Sequence, residues 1–218
     1  MTCPTSTPNL MGLRGLHRTM QADLHRLTAL VERLADLRAG IGTKRAKALE
    51  AWVRGLCAEI HHHHAAEDRV VWPVVSRYAD DGLADVEHTE LGPLLDEVRE
   101  AAALVVAGPS AELPAQAGAL AGRLARLRDA LDRHVETVEG RLFPLVERCV
   151  PADEWAAVVK GLQRMPGGPS AAFRVPRIVD LATPEEWEAM RAHAGPALPL
   201  LAVLLGPAHR RRERLVFG

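Results

Sequence analysis

The apolar positions of this chain recur in alternating steps of four and three. From Leu13 the inward positions run Leu13, His17, Met20, Leu24, Leu27, Val31 and Leu34. A second series runs Leu49, Val53, Leu56, Ile60, His63, Glu67, Val70 and Val74. The third is His88, Leu91, Leu95, Val98, Ala102 and Val105, and the fourth Leu120, Leu124, Leu127, Leu131, His134 and Val138. This is the seam of a helix packed on other helices, whereas a half-buried strand repeats every second residue. Breaks rich in glycine, proline and small residues separate the series, at "RAGIGT" (38–43), "ADDG" (79–82) and "VAGPSAELP" (106–114). The pattern predicts an all-α fold, an antiparallel four-helix bundle over residues 10–150. Residues 1–9 are expected to be disordered, and 151–218 to form a C-terminal helical extension. Within the extension, Thr183, Pro184 and Glu186 of "TPEEWEAM" read as a capping box that starts a helix.

Composition narrows the class without changing the fold. The chain has 218 residues, 48% of them hydrophobic and 25% charged, as expected for one substantial core. A net charge of −1 gives no field that favours nucleic acid or an anionic membrane. The opening "MTCPTSTPNL" lacks the apolar run of a signal peptide, and the longest apolar stretch, "ALPLLAVLL" (197–205), is too short to cross a bilayer. Cys3, Cys57 and Cys149 are odd in number and widely spaced, which fits a reducing compartment and a cytoplasmic protein. The run "HRRRER" (209–214) has no aromatic support and reads as a solvated face, so neither a nucleic-acid nor a membrane partner is expected.

The chemistry lies in the seams, each of which contains one histidine: His17, His63, His88 and His134. A lone histidine on an apolar face is more often a satisfied core residue than a ligand. One per helix is a different matter, because bundle cores build metal sites from facing helices and imidazole ligates iron, zinc, copper and nickel. The spacing reinforces this: His17 to His63 and His88 to His134 are each 46 residues, and the second pair repeats the first with an offset of 71. The same offset lays Trp72-Pro73 on Phe143-Pro144. Two αα-hairpins related by an approximate two-fold would bring the histidines together at the axis and suit a two-metal centre.

The segment "EIHHHHAAEDRVVWPVV" (59–75) can be resolved by geometry. On a helix turning about 100° per residue from an inward Ile60, His63, His64 and Glu67 fall within about 60° of the core direction. His61 lies at about 100°, and His62 at about 200° on the solvated side. A glutamate one turn beyond His63 on an apolar seam requires a cation.

These residues, above all "HHHHAAEDRVVWP" and "HVETVEGRLFP", resemble the hemerythrin family, specifically the bacterial hemerythrin-like (HHE cation-binding) proteins, over roughly residues 10–150. The resemblance implies a centre of two iron ions held by five histidines and two bridging carboxylates. His17, His63, His88 and His134 match the family's histidines, and Glu67 its second-helix bridge. Many hemerythrins carry another histidine in the third helix where this chain has Gly92, and His64 would supply that imidazole. Val138 stands four residues after His134, where many HHE domains have glutamate. Glu139, one further on, matches the five-residue spacing of the oxygen-carrying members. A π-bulge, tolerated by Gly140, would turn Glu139 inward. The resemblance thus puts His64, His88 and His134 on one metal, His17 and His63 on the other, and Glu67 and Glu139 across both. Mixed nitrogen and oxygen ligands with an open position suit ferrous iron.

The expected function is a non-haem diiron protein that binds or reacts with a small ligand: dioxygen, peroxide or nitric oxide. Alternatives that share this ligand set are a diiron oxidase or peroxidase-type enzyme acting on a small molecule, and an iron or oxygen sensor. His25, His193 and His209 have no partner at useful spacing and are expected at the surface. Cys57 and Cys149 are expected on packing faces, and Tyr78 away from the centre.

Overall fold

The computed structural model describes residues 7–36, 41–79 and 91–218, with the side chains of residues 110, 193 and 194 set aside. His88 and the side chain of His193 therefore lie outside the described part, as do residues 1–6 of the N-terminal segment. Among the described residues every regular element is helical. In order these are α1 (Met11–Asp36), α2 (Thr43–Ala66), a π-helical turn (Glu67–Val71), α3 (Trp72–Val75) and α4 (Leu91–Ala107). A short 3₁₀ turn (Ser110–Glu112) follows, then α5 (Leu113–Thr137), a second π-helical turn (Val138–Leu142) and α6 (Phe143–Cys149). The chain closes with α7 (Ala152–Arg164), α8 (Ala171–Leu181), α9 (Pro184–Ala194) and α10 (Ala197–Phe217).

The two π turns interrupt what the periodicity suggests are continuous helices, and each directly precedes an aromatic–proline pair. Proline in a helix removes one amide donor and crowds the carbonyl four residues back. A wider turn just ahead of Pro73 and Pro144 relieves both problems. The Trp72 amide reaches back to the Glu67 carbonyl and the Phe143 amide to the Val138 carbonyl, five residues each time. Glu67 and Val138 are thus the first residues of matching turns, related by the same 71-residue offset as the histidines.

The helices pack α1 on α5, α5 on α4, α4 on α2, and α1 on α2. Their buried side chains fall into two apolar clusters. The larger contains Met20, Leu24, Leu27, Leu56, Ile60, Leu95, Leu127 and Leu131. The smaller contains Leu10, Val71, Val75, Val138, Phe143, Val146 and Trp155. Along α1, α2 and α5 the residues between these clusters are the buried histidines, so a polar layer separates two dry ones.

The last four helices are not an appendage. Phe173 of α8 and Val216 of α10 belong to the larger core, and Trp155 and Val158 of α7 to the smaller. The Phe173 ring fills the space where a side chain on Gly55 would stand; a Cβ there would lie 2.8 Å from it. Buried Arg177 of α8 pairs with Asp23 of α1 at 2.5 Å and with Glu59 of α2, and the Trp52 indole donates to Asp23 at 3.2 Å. Arg174 reaches Glu59 from the half-exposed side. The capping box at Thr183 is formed as expected, and Arg18 of α1 pairs with its Glu186. Segment 7–10 is non-helical but fixed: Pro8 and Leu10 are buried, and the Trp155 indole donates to the Asn9 carbonyl.

Two surface expectations are corrected. His209 is 3% exposed, because α10 folds back on α2 and α8, setting its ring 5.6 Å from Trp52 and its Nε2 3.4 Å from Asp180. His62 does point away from the histidine layer, yet it is half-buried, because the linker at Gly168 and Arg174 of α8 cover it. His25 is exposed and pairs with Asp132. Among the described residues no helix is long and apolar enough to cross a membrane.

Candidate metal centre

α1 brings in His17, α2 brings in His63 and His64, and α5 brings in His134. Each sits one turn from an apolar core residue, so the packing of Met20, Ile60 and Leu131 sets its inward direction. Glu67 opens the first π turn, where it is 4% exposed. Its Oε1 lies 3.2 Å from His63 Nε2 and 3.8 Å from His17 Nε2, and its Oε2 lies 3.2 Å from His134 Nε2. The Nε2 atoms of His17 and His63 face each other at 3.0 Å. The His64 and His134 rings lie 4.3 Å apart. Ligand-type atoms therefore gather in two buried groups that share one carboxylate: His17, His63 and Glu67, and His64, Glu67 and His134.

The residues around these groups fix which ring nitrogen faces inward. His17 Nδ1 lies 2.8 Å from Glu139 Oε1, and His64 Nδ1 lies 2.7 Å from the Ile60 carbonyl. Both partners are acceptors, so each ring carries a proton on Nδ1, and in its neutral form presents the Nε2 lone pair inward. Phe143 stacks on the His17 ring, its centroid 5.7 Å away, and the Arg14 guanidinium lies over Phe143.

Electrostatics follow from this burial. Burial raises the Glu67 carboxyl, but the charge of His63 and hydrogen bonds from His134, His17 and His63 outweigh it, holding Glu67 well below the carboxylate range. Burial pushes His63 down, and takes His64 down to about 3. For His17, burial also acts downward, but Glu139 and Glu67 overcome it and the ring is raised. Two imidazole nitrogens facing each other at 3.0 Å beside a carboxylate make a poor hydrogen-bonding set and a good ligand set. The donor chemistry fits a bound cation, with mixed nitrogen and oxygen ligands of the kind that suits iron.

The structure thus gathers five of the seven residues named from sequence: His17, His63, His64, Glu67 and His134. His88 lies outside the described residues. Glu139 is placed differently from the bridging expectation. The second π turn is present, but it begins at Val138, so the inward position is valine, fully buried, and the widening comes after it. Glu139 lies on the flank with its side chain 27% exposed, on the far edge of the His17 ring, where Arg14 holds its other oxygen at 3.0 Å. Its carboxyl is held below the ordinary range; burial alone would raise it, and His17 and Arg14 overcome that.

Arg14 and Phe143 were not anticipated as part of the site. Phe143 carried a signal, since Phe143-Pro144 repeats Trp72-Pro73, whereas nothing in the sequence marked Arg14. Tyr78 donates to Glu154 on α7 and takes no part. Cys57 is buried, and its thiol is pushed up by burial to about 12, which disfavours the reactive thiolate and fits a packing role. A third group, Asp180, His209 and Glu213, is partly exposed, and its Glu213 is already paired with Arg26 at 2.7 Å.

Comparison with known families matches the Hemerythrin HHE cation binding domain over residues 12–149. That span covers more than half of the chain and contains every residue of the two groups. Neither the comparison with curated proteins nor that with solved structures found a match.

Proposed function

The chain belongs to the hemerythrin HHE cation-binding domain family, and from that membership and the geometry of its core we propose a non-haem diiron protein. Two iron ions would occupy the antiparallel four-helix core, His17 and His63 holding one, His64 and His134 the other, with Glu67 spanning both. His88 is assigned to the second iron on the family resemblance. The observation that carries this reading is the Glu67 carboxylate, which turns one oxygen to each histidine group. When bound, the iron pair supplies coordination and electron-transfer chemistry toward dioxygen, peroxide or nitric oxide.

The protein's own groups prepare the site. Glu139 and the Ile60 carbonyl hold the His17 and His64 rings with their Nε2 lone pairs inward, which sharpens ligand basicity. Ile60, Leu131, Val138 and Phe143, all under 2% exposed, close the layer above and below and exclude bulk water. Cysteines without a disulfide pattern support a cytoplasmic setting.

Metal analysis of the purified protein, with an optical spectrum in air, tests the proposal. Two irons per chain are expected, falling below one in Glu67→Gln. A fully loaded protein with a single metal, or a Glu67→Gln variant that keeps two, overturns it.

Turnover of peroxide or oxidation of a small molecule is a second reading, favoured by one feature. Glu139 and Arg14 form a polar path from solvent to the edge of His17, whereas purely reversible binding calls for a dry surround. Peroxide consumption by the iron form, lost in Glu139→Gln with iron retained, would select the enzyme.

A further inference from the structure

The face of α1 turned away from the histidines borders a cavity of about 690 Å³. Its other walls are the segment at Thr7, Pro8 and Asn9 and the helices α7, α8 and α9, which pack back on the first. Met11, Trp155, Val159, Leu162, Ile178 and Met190 supply its apolar lining. The volume falls in the range of small-molecule pockets. Two glycines of α1, Gly12 and Gly15, open its floor: a Cβ built on either meets nothing within 4 Å.

The charged groups of the lining are two cations, Lys160 and Arg18, and one acid, Glu186. Lys160 is exposed at the mouth with no ion-pair partner among the described residues. Arg18 spends its terminal nitrogens on Glu186, while its Nε–H is buried and has no hydrogen-bond partner. Glu186, the one acidic side chain in the lining, is already taken by Arg18 and by the Thr183 amide. An apolar chamber with one unpaired cation, Lys160, at its mouth and its single acid already paired calls for an apolar body with an acceptor-only head.

We propose that this cavity binds a small amphipathic carboxylic acid, its apolar body between α1 and α7–α9 and its carboxylate at Lys160. The site is separate from the histidine layer, which lies on the opposite face of α1, and it does not depend on the metal reading.

Titration calorimetry on the metal-loaded full chain with octanoate, below its micellar concentration, and with octan-1-ol tests it. Octanoate should bind one per chain and more tightly than the alcohol. Gly12→Leu and Gly15→Leu each project a side chain into the cavity while raising helix propensity. Both should keep the parent's thermal stability and lose octanoate binding at least tenfold. Lys160→Met should weaken octanoate about 2- to 5-fold, as for an exposed ion pair, and leave octanol unchanged. Binding that survives both leucine variants places the acid elsewhere, for example on the metal, and overturns the proposal. Absence of saturable binding overturns it too, as does equal affinity for acid and alcohol in the parent.

Discussion

Two polar layers cross the same pair of helices, and they settle their charge in opposite ways. On α1, Asp23 lies six residues beyond His17; on α2, Glu59 lies four residues before His63. Asp23 and Glu59 are closed by a cation that the protein itself provides, Arg177 from α8. In the histidine layer, the partners of Glu67 among the described residues are all imidazoles, converging with their Nε2 atoms. Burying a carboxylate is costly unless it is paired. The first layer is therefore complete as a protein, and the second is built to be completed from outside. The same helices, depth and acid chemistry lead to a structural lock in one layer and a candidate cofactor site in the other. What separates them is whether a guanidinium can reach.

The largest effect that tests this contrast is expected at the lock. Arg177→Met leaves two buried carboxylates without their main cation and should cost about 3–5 kcal/mol. Denaturant unfolding measures this, and the loss should be the same with or without metal. A metal-dependent loss would mean the layers are not independent.

Removing metal should have the next largest effect. A cation held at 100-fold over its dissociation constant stabilises by about 2.7 kcal/mol. Chelation should therefore lower the melting temperature by about 5–10 °C in a chain of this size. In Glu67→Gln, chelation should change little, while Arg177→Met should respond to it like the parent.

Val138 and Glu139, neighbours on the second π turn, divide packing from positioning. Val138→Ala should cost about 2 kcal/mol through the vacated methyl volume, with metal content unchanged. Glu139→Gln should leave the stability of the metal-free protein within about 0.5 kcal/mol and weaken metal about tenfold, because it loosens the His17 ring. Isothermal unfolding and competitive chelation separate the two. Loss of both metals in Glu139→Gln would return Glu139 to the bridging role.

The smallest effect is a pH slope at the edge of the lock. His209 is lowered from its ordinary 6.5, by burial first, with Arg177 adding to this and Asp180, Glu213 and Asp23 opposing it. Below that pH the unfolded chain takes up a proton that the folded chain resists. Its contribution is therefore full above about pH 6.5 and declines as the pH falls. His209→Gln should flatten the fall of melting temperature as the pH drops below about 6.5.

The sequence carried the all-helical fold and the convergence of His17, His63, His64, Glu67 and His134, because both are written in short-range periodicity. A side chain's phase on a helix is local information. Arg177 with Asp23 pairs residues 154 apart, and no spacing rule connects them. His209 failed for the same reason: a lone histidine is judged by what folds over it. The error at Glu139 was finer. The widened turn was anticipated, but its starting residue decides which side chain faces inward, and that start is set by Pro144 rather than by Glu139.

The seat of Phe173 over Gly55 bears on how this protein can be dissected. Gly55 lies inside the span that defines the family, yet the ring resting on it comes from beyond that span, as does Arg177. A fragment cut at residue 149 would keep every histidine of the layer and still expose a groove along α2 and strand Asp23 and Glu59 without Arg177. The family segment is here a recognisable part rather than a transplantable module, and a shortened version of the chain must carry α8 with it.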